Sequence, residues 1–144
     1  MATTKKAATK TVFSDAELEA MQDAKVERRK GKKADGLSDL LAKIAELDDS
    51  DRAIAETIHA LVTENAPDLA PKTWYGMPAW ANKDGKVVCF LTPAGKFDSR
   101  YASFGFNDVA RLDDGTVWPT SFAVSKLTKA DEENFAKLIR KAVS

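Results

Sequence analysis

Residues 73–104 read TWYGMPAWANKDGKVVCFLTPAGKFDSRYASF, and this stretch decides the class of fold. Turn chemistry at Asn82-Lys-Asp-Gly85 and Pro93-Ala-Gly95, and further on at Asp113-Asp-Gly115, punctuates runs rich in aromatic and β-branched residues. Between the turns the pattern predicts strands over 74–81, 86–92, 97 to about 104, and a shorter one over 121–124. Ten of the twelve aromatics lie between Trp74 and Phe122, so this half of the chain is expected to form a meandering antiparallel sheet of about four strands.

On either side the period changes from two to that of a helix. Upstream, Leu37, Leu40, Leu41, Ile44 and Leu47 repeat as one helical face, and Ile54, Ile58, Leu61 and Val62 mark a second helix ended by Asn65 and Pro67. Asp48-Asp49-Ser50-Asp51 supplies the turn and cap between them. Ser14-Asp-Ala-Glu17 fits a capping box and opens an earlier helix reaching Lys30 or Lys33, with a thin stripe through Leu18, Met21 and Ala24. Downstream, Thr128 with Asp131 starts a final helix whose Phe135, Leu138, Ile139 and Val143 face inward. Three helices, a sheet and one more helix predict an α+β fold with the helices gathered on one sheet face.

Composition sets the outer limits. With 144 residues, 44% hydrophobic and 31% charged, the chain suits one globular domain. The longest apolar run, Val87 to Leu91, is far short of the ~20 residues that cross a bilayer. The first ten residues carry lysines and no apolar h-region, so no secretory leader is expected. A single cysteine, Cys89, agrees with a reducing, cytoplasmic location. The zero net charge hides three blocks: +3 over residues 1–36, −5 over 37–72 and +2 over 73–144. The organisation expected is a disordered tail at 1–12, a basic helix at 13–36 and the main domain at 37–144.

The stretch Pro71-Lys-Thr-Trp-Tyr-Gly-Met-Pro-Ala-Trp80, with Asp84-Gly-Lys-Val-Val-Cys-Phe90, Arg100-Tyr101, Leu112-Asp-Asp-Gly115 and Trp118-Pro-Thr-Ser121, resembles the bacterial YdhG-like family of small domains of unknown function. The resemblance covers about residues 37–144. It implies a compact α+β domain similar in outline to the frataxin fold, with one relative proposed as an iron chaperone, and no enzyme activity. Many relatives carry an acidic residue shortly before Tyr-Gly-Met-Pro, where this chain has Lys72, whose ammonium donates and cannot coordinate a cation. Iron is thus the one cofactor the resemblance suggests, while the residues themselves call for none.

Strict alternation would send Trp74, Gly76, Pro78 and Trp80 to one face and Tyr75, Met77 and Ala79 to the other. With Arg100, Tyr101 and Trp118 nearby, an aromatic concavity formed by Trp74, Tyr75, Met77, Pro78 and Trp80 is the expected ligand site. The competing reading places these aromatics in the core. Asp48, Asp49 and Asp51 are the densest hard ligands, but a helix cap already accounts for them. His59 lacks a second imidazole or thiolate at metal-binding spacing, and Cys89 lacks an activating neighbour, so both are expected to be structural. No pair of titratable groups has the placement that acid–base catalysis demands, so no enzyme is expected. The function expected is a binding module for a small molecule, metal or protein partner. The alternative is an accessory nucleic-acid binder using Lys25, Arg28, Arg29, Lys30, Lys32 and Lys33, against which stands a pI near 6.6, and a third reading, which the family resemblance implies, is a weak iron-chaperone-like role.

Overall fold

Ser14 opens the first helix through reciprocal bonds: its hydroxyl accepts the Glu17 N–H at 3.1 Å, and the Glu17 carboxylate accepts the Ser14 N–H at 2.9 Å. A computed structural model describes residues 14–30 and 36–144, without the side chains of 26–30. The expected tail at 1–12 lies outside the described residues. Helix α1 spans Asp15–Lys30 and packs against the first strand. Its buried stripe is Ala20 and Ala24, whereas Leu18 and Met21 face solvent. The small side chains let this helix approach closely where the sequence pattern favoured the larger ones.

Helix α2, Gly36–Ala45, buries Leu40 and Ile44 and leaves Leu37 and Leu41 exposed. Helix α3, Asp49–Asn65, begins at the Asp48 cap, whose carboxylate accepts the Asp51 N–H at 2.9 Å, and buries Ile54, Ile58, Leu61 and Val62. Helix α4, Lys129–Ala142, starts from the Thr128–Asp131 capping box, packs on α3 and buries Phe135 and Ile139.

The sheet has five strands: β1 Ala70–Trp74, β2 Met77–Ala81, β3 Val87–Thr92, β4 Ala102–Phe106 and β5 Ser121–Val124, adjacent in chain order and all antiparallel. The α+β class and the placing of three helices before the sheet and one after it match the sequence pattern; the count of four strands does not. The run 74–81 is no single strand. Tyr75 and Gly76 have φ of 52° and 76° and make a two-residue hairpin turn, so Trp74 pairs with Met77 and an additional strand precedes the turn. The strand expected from residue 97 begins only at Ala102, because the Ser99 N–H closes a loop onto the Ala94 carbonyl at 2.9 Å and Asp98 adopts φ 53°.

Register assigns the faces. Trp80, Cys89 and Phe106 lie abreast, as do Leu91, Phe104 and Phe122. This inner face meets the helices in one core: Phe104 packs on Phe135 with ring centroids 5.1 Å apart, and Phe122 on Phe135 at 5.8 Å. Alternate residues, among them Lys72, Trp74, Met77, Ala79, Phe90 and Gly105, occupy the outer face.

Helix α2 reaches β1 so closely that a Cβ on Gly36 would stand 2.1 Å from the Pro71 carbonyl oxygen. A backbone atom inside a strand cannot swing aside, so Gly36→Ala is expected to lower stability by about 1–3 kcal/mol in urea unfolding, although alanine is the better helix former. An unchanged midpoint would contradict that close approach. The Thr128 backbone N–H and hydroxyl hold the Asp131 carboxyl below its ordinary 3.8. The ionised cap is therefore in place above pH 3.8 and is lost as the pH falls through the lower folded-state value. NMR titration should find Asp131 ionising below 3.8, and Thr128→Ala should raise it.

Candidate functional site

The hairpin turn decides which aromatics can meet a ligand. Crossing a two-residue turn breaks the alternation of a continuous strand, so Trp74 and Trp80 go to opposite faces. Trp80 is fully buried on the inner face; its indole N–H donates to His59 Nδ1 at 3.2 Å, and the rings stack with centroids 6.2 Å apart. Pro78 is buried on the same face. Trp74 is half-buried on the outer face, where its ring makes T-shaped contacts with Phe90 and Tyr75, centroids 5.1 Å and 5.2 Å apart. Met77 is buried beside it and its sulfur accepts the Thr92 hydroxyl at 3.2 Å. Phe90 in turn lies across Gly105, where a Cβ would meet its ring at 2.6 Å.

The other residues expected at this site lie apart. Arg100 and Tyr101 are exposed and pair with each other, the guanidinium 5.4 Å from the ring centroid. Trp118 is half-buried against the core from the loop before β5. Neither Arg100, Tyr101 nor Trp118 borders the cleft that Trp74 lines. That cleft, about 390 Å³, is bounded by Lys72, Trp74, the 85–87 segment and Asn107 to Val109, with no helical residue in its wall. Lys72 follows from the strand period, being two residues before Trp74 on the same face. Lys86 and Asn107 carry no comparable sequence signal, because turns and a loop bring them there.

A second cleft of about 310 Å³ lies where α1, α2, the start of α3 and the β3–β4 loop converge, and it holds Asp48 and Asp51. The Asp51 side chain is buried and accepts the N–H groups of Ala94 at 3.1 Å and Gly95 at 2.8 Å. Asp48 caps α3, and Asp49 pairs with Arg52. The three aspartates thus serve three separate partners, and no group of three or more metal-type ligands converges among the described residues. Asp23 of α1 sits 3.4 Å from both Lys43 and Lys96, which ties that helix to α2 and the β3–β4 loop.

Of the basic set, Lys25 is exposed on α1. The side chains of Arg28, Arg29 and Lys30, and the whole of Lys32 and Lys33, lie outside the described residues. Burial pushes the Cys89 thiol far above its ordinary value, so no thiolate nucleophile forms there near neutral pH.

Burial also holds His59 below its ordinary 6.5, and the bond from Trp80 requires an unprotonated Nδ1. Between pH 6.5 and the lower folded-state value the unfolded chain binds more protons, so stability is expected to fall as the pH drops through that window. Urea unfolding at a series of pH values should show this slope, and His59→Gln, which keeps an acceptor for the indole, should flatten it.

No family model, no curated protein and no solved structure matches this chain.

Proposed function

We propose that this chain is a binding module without catalytic activity and that it takes a small molecule in the Trp74 cleft on the outer face of the sheet. The observation that carries the reading is a large aromatic side chain held half-buried in the wall of a 390 Å³ cleft, whereas Trp80, Phe104 and Phe106 of the same sheet are spent on the core. Small-ligand sites are concave, of about 300–1,000 Å³, and combine apolar rings with a few polar groups. Trp74, Val87 and Val109 supply the apolar part, and Lys72, Lys86, Asn107 and Asp108 the polar part. The resemblance of Pro71 to Trp80 to the YdhG-like family agrees with a binding role. A catalytic reading gains nothing from this cleft: among its wall residues no nucleophile stands beside a base.

The test uses the three indole N–H resonances as reporters. In a small-molecule screen by NMR, hits are expected to move the Trp74 indole and leave that of buried Trp80 unmoved. Trp74→Ala, with its fold checked by circular dichroism, should abolish their binding. Hits that gather elsewhere, or that survive the substitution, would remove the Trp74 cleft as the site.

A further inference from the structure

Two lysines and one ring in the same wall narrow the ligand class. We infer that the Trp74 cleft binds a nucleoside monophosphate, the base lying against Trp74 and the phosphate held by Lys72 and Lys86, an inference that rests on the proposed function of this cleft. Neither lysine side chain has an ion-pair or hydrogen-bond partner among the described residues. Lys43 and Lys96 of the second cleft, by contrast, are both engaged with Asp23. The wall of the Trp74 cleft carries two positive groups against the single carboxylate of Asp108, so its local potential favours an anion.

The ring is held in place. Phe90 and Tyr75 meet Trp74 at interplanar angles of 64° and 75°, T-shaped contacts that fix the orientation of the indole in the cleft wall. An indole lends itself to a flat π-system, and base–aromatic stacking tolerates any base. Lys72 lies two residues before Trp74 on one strand face, roughly 7 Å along the strand, about the separation between a base and its 5′-phosphate. Lys86 lines the same cleft from the end of the β2–β3 turn, which offers a second ammonium to the same phosphate. The acceptors are also in place. Asn107 Nδ2 donates to the Val87 carbonyl at 3.2 Å, and its Oδ1 has no partner among the described residues. With the Asp108 carboxylate, that oxygen can accept from an exocyclic amine or a ribose hydroxyl.

Calorimetry on the full chain with four probes decides it: adenosine 5′-monophosphate, adenosine, inorganic phosphate and a single-stranded oligonucleotide. The monophosphate is expected to bind at least about tenfold more tightly than adenosine or phosphate alone, as one charge-assisted contact implies. Lys72→Ala and Lys86→Ala should each weaken the monophosphate by about tenfold and leave adenosine unchanged, whereas Trp74→Ala should remove both. Equal binding of adenosine and its monophosphate, with Trp74 still required, would overturn the phosphate assignment and leave the cleft as a small-molecule site. Binding of the oligonucleotide alone would overturn the inference in favour of a nucleic-acid surface. Failure of all four probes, while other compounds still move the Trp74 indole, would overturn the nucleotide class, and silence of that indole to every compound would remove the proposed function as well.

Discussion

Two left-handed residues at the β1–β2 turn, Tyr75 and Gly76, set the partition of aromatic side chains on which the rest of the molecule depends. A hairpin with a two-residue loop leaves its flanking residues, Trp74 and Met77, on the same face, so Trp80 three positions later must point the other way. One tryptophan is thereby delivered to the helices and another to the outer surface. A Cβ on Gly76 would lie 2.4 Å from the Asp23 carboxylate and 2.5 Å from the Lys96 ammonium, so the same glycine also leaves room for the ion pair that holds α1. Backbone handedness, core filling and the seating of α1 are coupled through that turn.

Polar side chains then lock elements that hydrophobic contact alone leaves free to slide. The Asp51 carboxylate is buried, yet both its oxygens accept backbone N–H groups from the β3–β4 loop, so its charge is offset by two donors. Asp23 bridges two lysines from separate elements. Among the described residues, no buried side-chain nitrogen or oxygen is left without a partner, which accords with the high cost of burying an unsatisfied polar group. Of the acidic residues that look like a ligand set in the sequence, Asp48 and Asp49 are thus occupied within α3 and Asp51 in joining α3 to the loop.

The outer sheet face is the counterpart of this economy of packing. Glycine at position 105 leaves room for the Phe90 ring, Phe90 supports Trp74, and the supported indole lines a cleft with two lysines that have no ion-pair partner among the described residues.

Sequence by itself determined the parts governed by local rules. The Ser14–Glu17 and Thr128–Asp131 boxes, the Asp48 cap and the buried Leu40 and Ile44 of α2, Ile54, Ile58, Leu61 and Val62 of α3, and Phe135 and Ile139 of α4 are short-range patterns, because a helix carries its hydrogen bonds and its period within a few residues, whereas Leu37, Leu41 and Val143 of the same expected faces are exposed. The sheet was legible in class but not in count, since the Tyr75-Gly76 turn lacks the Asn-Gly or Asp-Gly composition that marks such hairpins. Only the tertiary structure decided that Trp80 is core and Trp74 is surface, that Arg100 and Tyr101 stand apart, and that Asp51 reaches a loop forty-four residues away at Gly95. It also brought Lys86 and Asn107 to Trp74. Those outcomes rest on strand register and loop closure, which join residues distant in the chain and leave no periodic trace in it.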